Sequence, residues 1–308
     1  MRKQDFTWRD PDGVEIFVYV FRPAEGTQEK GVVQIAHGMG ETAHRYKRFA
    51  QVLTEAGYIV FANDHRGHGR TAGHPDKVGI VGNDGFAKIY HDLIQLTKHI
   101  HENHPQLPIY ILGHSMGSFL VQKMMYQHAY KVKGVILSGT NGKQGMLLRV
   151  GQVIATIQSW FRGHSYRSTL LDQLSFGKFN GSFRPNRTAF DWLSRDEAEV
   201  DAYIANPCTG KIFSALFFRD FFGHLLDIHK PKHMALIPKH LPILMISGAC
   251  DPVSQMGKGV EQLKAMYEHL GCKHVTCKIY PESRHELLNE LNRDEVTADI
   301  LNWLNART

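Results

Sequence analysis

Cysteine is scarce in this chain of 308 residues: Cys208, Cys250, Cys272 and Cys277 are the only four, and no two form a CxxC pair. Small disulfide-stapled secreted domains and zinc ribbons need denser or paired cysteines, so both are excluded and free thiols are expected. No run approaches the roughly 18 apolar residues of a membrane-spanning helix, because Arg219 and Asp220 interrupt the richest segment, 213–226. The amino terminus also lacks the apolar stretch of a secretory signal; it carries Asp5, Arg9, Asp10 and Asp12, which points to a cytoplasmic location. A dense basic run is missing too. The formal charge of +6 is spread among acids, so nucleic acid is not an expected partner, although a weak attraction to anionic lipid stays open. Metal and nucleotide signals are equally thin. His99, His101 and His104 do not share one helix face, and the loop 63–69, with His65 and His68, has neither a zinc ligand count nor a GxxxxGK[ST] form. We read that loop as a structural turn and expect no metal or cofactor.

What is present is a balanced globular composition, 43% hydrophobic and 21% charged, sufficient to bury a sizeable core. Short apolar, β-rich runs recur at 15–21, 31–36, 58–62, 108–112 and 132–138, with helical patterns between most of them, which predicts an α/β fold with a mostly parallel sheet. Runs at 242–248 and 275–280 resume the pattern around a helical stretch, 255–270. From about 140 to 240 the strand signal stops, and aromatic-rich amphipathic pieces such as 146–161 and 212–228 replace it. A segment that follows a strand of a parallel sheet leaves at the carboxyl edge, so it is expected to lie over the active face. The expected domains are a core of residues 1–139 and 241–308 and a helical cap, 140–240.

The run 108–112 leads directly into Gly113-His114-Ser115-Met116-Gly117 and then an apolar helical pattern through Tyr126. GxSxG between a strand and a helix is the sharp turn that lifts a serine hydroxyl above a sheet. A serine at neutral pH needs a base within hydrogen-bond reach and an acid that orients the base. Asp251, just beyond the strand 242–248, supplies the acid, and His285, in the loop after 275–280, supplies the base. The glycine-bearing loop His37-Gly38-Met39-Gly40-Glu41 follows the strand 31–36, so the Met39 N–H can face a developing oxyanion. The Met116 N–H, next to the serine and at a helix amino terminus, supplies the second donor. Cys250, beside Asp251, is read as packing.

With these residues placed, the chain resembles the monoacylglycerol lipase and lysophospholipase group of α/β-hydrolases over nearly its whole length. The 37–41 loop is similar to that group's HGxGE, residues 64–69 to its DxxGHG turn, and 113–117 to its nucleophile elbow; 284–290 resembles its segment around the histidine. Ser118 departs from the group, which commonly has glycine there. The resemblance implies the α/β-hydrolase fold with a helical cap after the sixth strand, no cofactor, and a serine carboxylester hydrolase for single-chain acyl esters, cytoplasmic or peripheral to the membrane through its cap. Cap aromatics including Phe183, Trp192, Phe217 and Phe218 are expected to line an acyl site. Acyl thioesterase and proline iminopeptidase-like aminopeptidase activities remain alternatives, the latter needing an acidic amine site such as Glu197 and Glu199, as does a non-catalytic module on the same fold.

Overall fold

The computed structural model describes all 308 residues. Nine strands form one sheet: β1 (Arg2–Lys3), β2 (Phe6–Arg9), β3 (Glu15–Arg22), β4 (Gly31–Ala36), β5 (Tyr58–Asn63), β6 (Ile109–His114), β7 (Gly134–Ser138), β8 (Ile243–Gly248) and β9 (Val275–Tyr280). The order is β1-β3-β5-β4-β6-β7-β8-β9, with β2 also paired to β3. β3 runs antiparallel to β1, β2 and β5, and from β5 to β9 every pairing is parallel.

Ten helices are distributed around it: α1 (Lys47–Glu55), α2 (Gly85–Asn103), α3 (Met116–Gln127), α4 (Met146–Arg162), α5 (Thr169–Phe176), α6 (Glu197–Ala205), α7 (Ala215–Ile228), α8 (Pro231–Met234), α9 (Lys258–His269) and α10 (Arg293–Asn305). The period-two alternation of the central strands explains the layering. Val33 and Ile35 of β4, Tyr110 and Leu112 of β6 and Ile136 of β7 pack with Leu53 of α1 and Ile300 of α10. Their neighbours Val32, Ile109, Ile111, Val135 and Leu137 pack on the other face with Leu93 of α2, Leu120 of α3 and Leu263 of α9. The one polar side chain of β4, Gln34, donates to the Leu93 carbonyl at 2.9 Å and accepts from Thr97 Oγ1 at 2.8 Å, so its burial leaves no orphan.

The helical insertion follows the seventh strand, not the sixth. Two amino-terminal strands, β1 and β2, add to the five apolar runs read before it, and β1 is only two exposed residues, Arg2 and Lys3, whose pairing rests on backbone hydrogen bonds that carry no hydrophobic pattern. Helices α4 to α8 all fall between β7 and β8. Four backbone bonds pin this segment to the loops at the carboxyl edge of the sheet: Gly210 N–H to Gly40 C=O at 3.0 Å, Ser214 N–H to Gly79 C=O at 3.0 Å, His285 N–H to Trp192 C=O at 3.4 Å, and Glu286 N–H to Leu193 C=O at 2.8 Å.

Candidate active site

Ser115 is the single residue between β6 and α3, with φ 51 and ψ −118. A side-chain-bearing residue occupies positive φ only at a cost of order 1–3 kcal/mol, so the surroundings must hold it there. They do so at both peptide groups: the Ser115 N–H donates to Ser138 C=O at 2.9 Å, and the Ser115 C=O accepts from the Ser118 N–H at 2.9 Å. Gly117 permits the turn, since a Cβ there would lie 2.0 Å from the Ala36 carbonyl oxygen.

Asp251 and His285 stand on the loops after β8 and β9, with side chains 0% and 2% exposed. His285 Nδ1 donates to Asp251 Oδ1 at 3.0 Å, and the same oxygen accepts the Val253 N–H at 2.8 Å. An Nδ1–H held by a carboxylate leaves Nε2 as the acceptor on the opposite side of the ring. Burial pushes the His285 pKa down, but Asp251, Glu286 and Glu41 push it up further, so it rises above the ordinary histidine value. His285 packs on Gly139, whose φ is +56; a Cβ there would meet His285 Cε1 at 2.9 Å.

The 37–41 loop is organised by His37. His37 Nε2 accepts the His65 N–H at 3.0 Å, so Nδ1 carries the proton and donates to the Gly38 C=O at 2.8 Å. In a trans peptide the N–H points opposite to the C=O, so tethering the Gly38 carbonyl turns the Met39 N–H the other way. The loop touches the serine: a Cβ at Gly38 would lie 3.2 Å from Ser115 Cβ. Burial pushes the His37 pKa down to about 4, which keeps the ring neutral for this role. The 64–69 turn is structural, with Asp64 accepting the Ala43 N–H at 2.8 Å and the Arg70 N–H at 2.7 Å. No three His, Cys, Asp or Glu side chains converge as metal ligands.

Sequence reasoning missed a buried charge cluster beside this loop. Glu41 Oε1 accepts the Gly38 N–H at 2.6 Å and the Tyr46 hydroxyl at 2.9 Å, while Glu41 Oε2 accepts from Arg45 at 3.2 Å. Arg45 also forks onto both oxygens of Glu286, the residue after His285. The guanidinium therefore joins the 37–41 loop to the histidine loop. HGxGE contains Glu41, but Arg45 and Glu286 lie 241 positions apart, and no local pattern announces their pairing.

Ser115, His285, Met39 and Glu286 share the wall of a cavity of about 390 Å³. The inserted segment adds Phe176, Phe190, Trp192, Leu193 and Phe213, and the Trp192 ring lies 5.1 Å from that of His285. Of the four aromatics expected at an acyl site, only Trp192 reaches the wall. Phe217 and Phe218 are fully buried, since they lie on the apolar face of α7, away from Arg219, Asp220 and Asp227, and that face sinks into the core. Phe183 instead stacks under the Arg284 guanidinium, 4.3 Å from ring to Cζ. Glu197 and Glu199 also stay outside, paired with Arg187 and Arg48.

Comparison with known proteins agrees with this architecture. The chain is 28% identical to a monoacylglycerol lipase of Mycolicibacterium smegmatis over 95% of its own length and 93% of the relative's. It is 27% identical to the monoglyceride lipase of Rattus norvegicus, covering 91% of this chain and 86% of that one. A crystal structure of a thermostable carboxyl esterase from Bacillus coagulans in complex with glycerol superposes with a TM-score of 0.90 at 27% identity, covering 100% of this chain and 99% of the other. The family pattern described as serine aminopeptidase, S33, matches residues 27–292, and on that match and this fold the chain belongs to that family of α/β-hydrolases.

Proposed function

We propose that the protein is a serine carboxylester hydrolase acting on single-chain acyl esters, with residues 140–240 as its cap. The observation that carries this reading is the His285–Asp251 hydrogen bond at 3.0 Å, behind a cavity that Ser115 and Met39 also line. Ser115 Oγ attacks the ester carbonyl while His285 Nε2 takes its proton, and Asp251 stabilises the imidazolium that forms. The Met39 and Met116 N–H groups hold the oxyanion. His285 then protonates the departing alcohol, and water, activated by the same base, releases the acyl group from Ser115. The aromatic lining from the cap and the named lipases and esterase among the relatives support an acyl substrate.

The same reading assigns a lipid surface to α4. Leu147, Trp160 and Phe161 are 87%, 83% and 80% exposed, with Met146, Val150, Val153 and Ile157 beside them. The helix carries Arg149 and Arg162 and no acid, which suits an anionic membrane interface. No helix is long and apolar enough to cross a membrane.

An aminopeptidase reading has one specific support: Asp172, in the cavity wall, forms no ion pair and would receive a free amine. The other lining carboxylates, Glu41 and Glu286, are occupied by Arg45. A fluorophosphonate probe followed by a panel of acyl glycerols, lysophospholipids, thioesters and amino-acid amides decides among these. Labelling at Ser115 with preference for acyl esters is expected; a Ser115→Ala variant that keeps substantial esterase activity would sink the assignment.

A further inference from the structure

Ser118 carries a hydroxyl where related elbows commonly have a third small residue, and that side chain is fully buried. Its Oγ lies 2.6 Å from the Ser115 carbonyl oxygen and 2.8 Å from Thr140 Oγ1. A serine hydroxyl has one proton and a carbonyl can only accept, so Ser118 donates to Ser115 C=O and accepts from the Thr140 hydroxyl. Thr140 Oγ1 in turn accepts from Gln122 Nε2 at 2.8 Å. The Gln122 amide is oriented by the Asn141 carbonyl, to which Nε2 also donates at 3.2 Å, so Oε1 faces His229 Nε2 at 2.7 Å and accepts its proton. The bonds therefore run in one direction: His229 to Gln122 to Thr140 to Ser118 to Ser115. Thr140 is fully buried, and Gln122 and His229 are at most 5% exposed, so none of these bonds has water as a ready substitute.

We propose that Ser118, Thr140, Gln122 and His229 form a positioning network for the nucleophile, fixing the Ser115 carbonyl and with it the positive-φ turn that aims Oγ. This rests on Ser115 being the nucleophile. The network starts at His229, just after α7 in the inserted segment, and passes through Thr140, directly after the β7 loop whose Ser138 carbonyl receives the Ser115 N–H. Residues 138 and 140 thus hold Ser115 from both sides, one directly and one through Ser118. A glycine at 118 would leave the carbonyl with only its backbone donor and strand the buried Thr140 hydroxyl.

Thr140→Val removes one hydroxyl at nearly constant volume, and Thr140→Ser keeps it. The experiment compares both, with Ser118→Ala and the Ser118→Ala/Thr140→Val double variant, by kcat, KM, the second-order rate of fluorophosphonate labelling and thermal midpoint. Thr140→Val and Ser118→Ala should each lower kcat and labelling by about tenfold with KM unchanged. Thr140→Ser should restore both rates, and the double variant should be no worse than the singles. Labelling and kcat within twofold of wild type in Thr140→Val, with only the thermal midpoint lowered, would overturn the proposal. Wild-type protein that no probe labels would overturn the nucleophile assignment itself, and is read before any variant.

Discussion

His285 and Asp251 meet through one carboxylate oxygen: Oδ1 takes the imidazole Nδ1–H and the Val253 N–H, while Oδ2 is buried without a partner. The carboxylate sets its negative charge beside the ring, where it would stabilise an imidazolium. Asp251→Asn preserves the shape but removes that charge, and kcat should fall by about 10⁴-fold. Steady-state hydrolysis of a short-chain p-nitrophenyl ester measures this, and a loss smaller than tenfold would remove Asp251 from the role.

The pH dependence follows from the same histidine. As the proposed base His285 has to be neutral, and its pKa lies above the ordinary 6.5 because Asp251, Glu286 and Glu41 outweigh burial. The acid limb of kcat/KM should therefore have its midpoint above 6.5. Glu286→Gln removes one of the raising carboxylates, so the limb should move to lower pH. A midpoint that stays put or rises would contradict the electrostatic account.

Arg45 faces two buried carboxylates, Glu41 and Glu286. Arg45→Met leaves both uncompensated and should cost about 3–5 kcal/mol in urea unfolding at neutral pH. Burial pushes the Glu286 carboxyl up, but Arg45 more than reverses this and holds it below the ordinary glutamate range. The stability supplied by its ionised form is complete above the unfolded-state pKa. It is lost as pH falls through the lowered native one. The gap between variant and wild type should narrow in that acidic window, as paired unfolding curves will show.

The exposed face of α4 predicts binding to a lipid surface. Each large apolar side chain transferred from water contributes about 1.5–3 kcal/mol, so Trp160→Ser with Phe161→Ser should weaken partitioning onto anionic vesicles by about a hundredfold or more. Hydrolysis of a soluble short-chain ester should be unchanged, since neither residue lines the cavity. Equal vesicle binding by wild type and variant in a sedimentation assay would remove α4 from the interface.

The legible parts of this molecule are those with short-range signatures. Strands β4 to β9 announce themselves as apolar runs, and the GxSxG turn sits where β6 hands over to α3. Asp251 and His285 follow strand ends, and the structure places both in one hydrogen-bonded pair. What escaped detection depends on partners remote in sequence. Arg45 and Glu286 look like ordinary surface charges until the loops converge. Phe217 and Phe218 lie on the apolar face of an amphipathic helix, and periodicity marks that face without saying whether it meets a cavity or the core. β1 has charged side chains and only backbone pairing, so no hydrophobic pattern marks it.

The strand order has a consequence for the timing of synthesis. Ser115 and the strands on either side of it, β6 and β7, emerge early, whereas Asp251 and His285 ride on β8 and β9, the last two strands to be made and neighbours at one edge of the sheet. A chain stopped before β8 therefore carries the proposed nucleophile without its proposed acid and base, and reactivity is expected only once the final edge strands dock. Ribosome-stalled chains ending before β8 should resist fluorophosphonate, and chains extended past α10 should react.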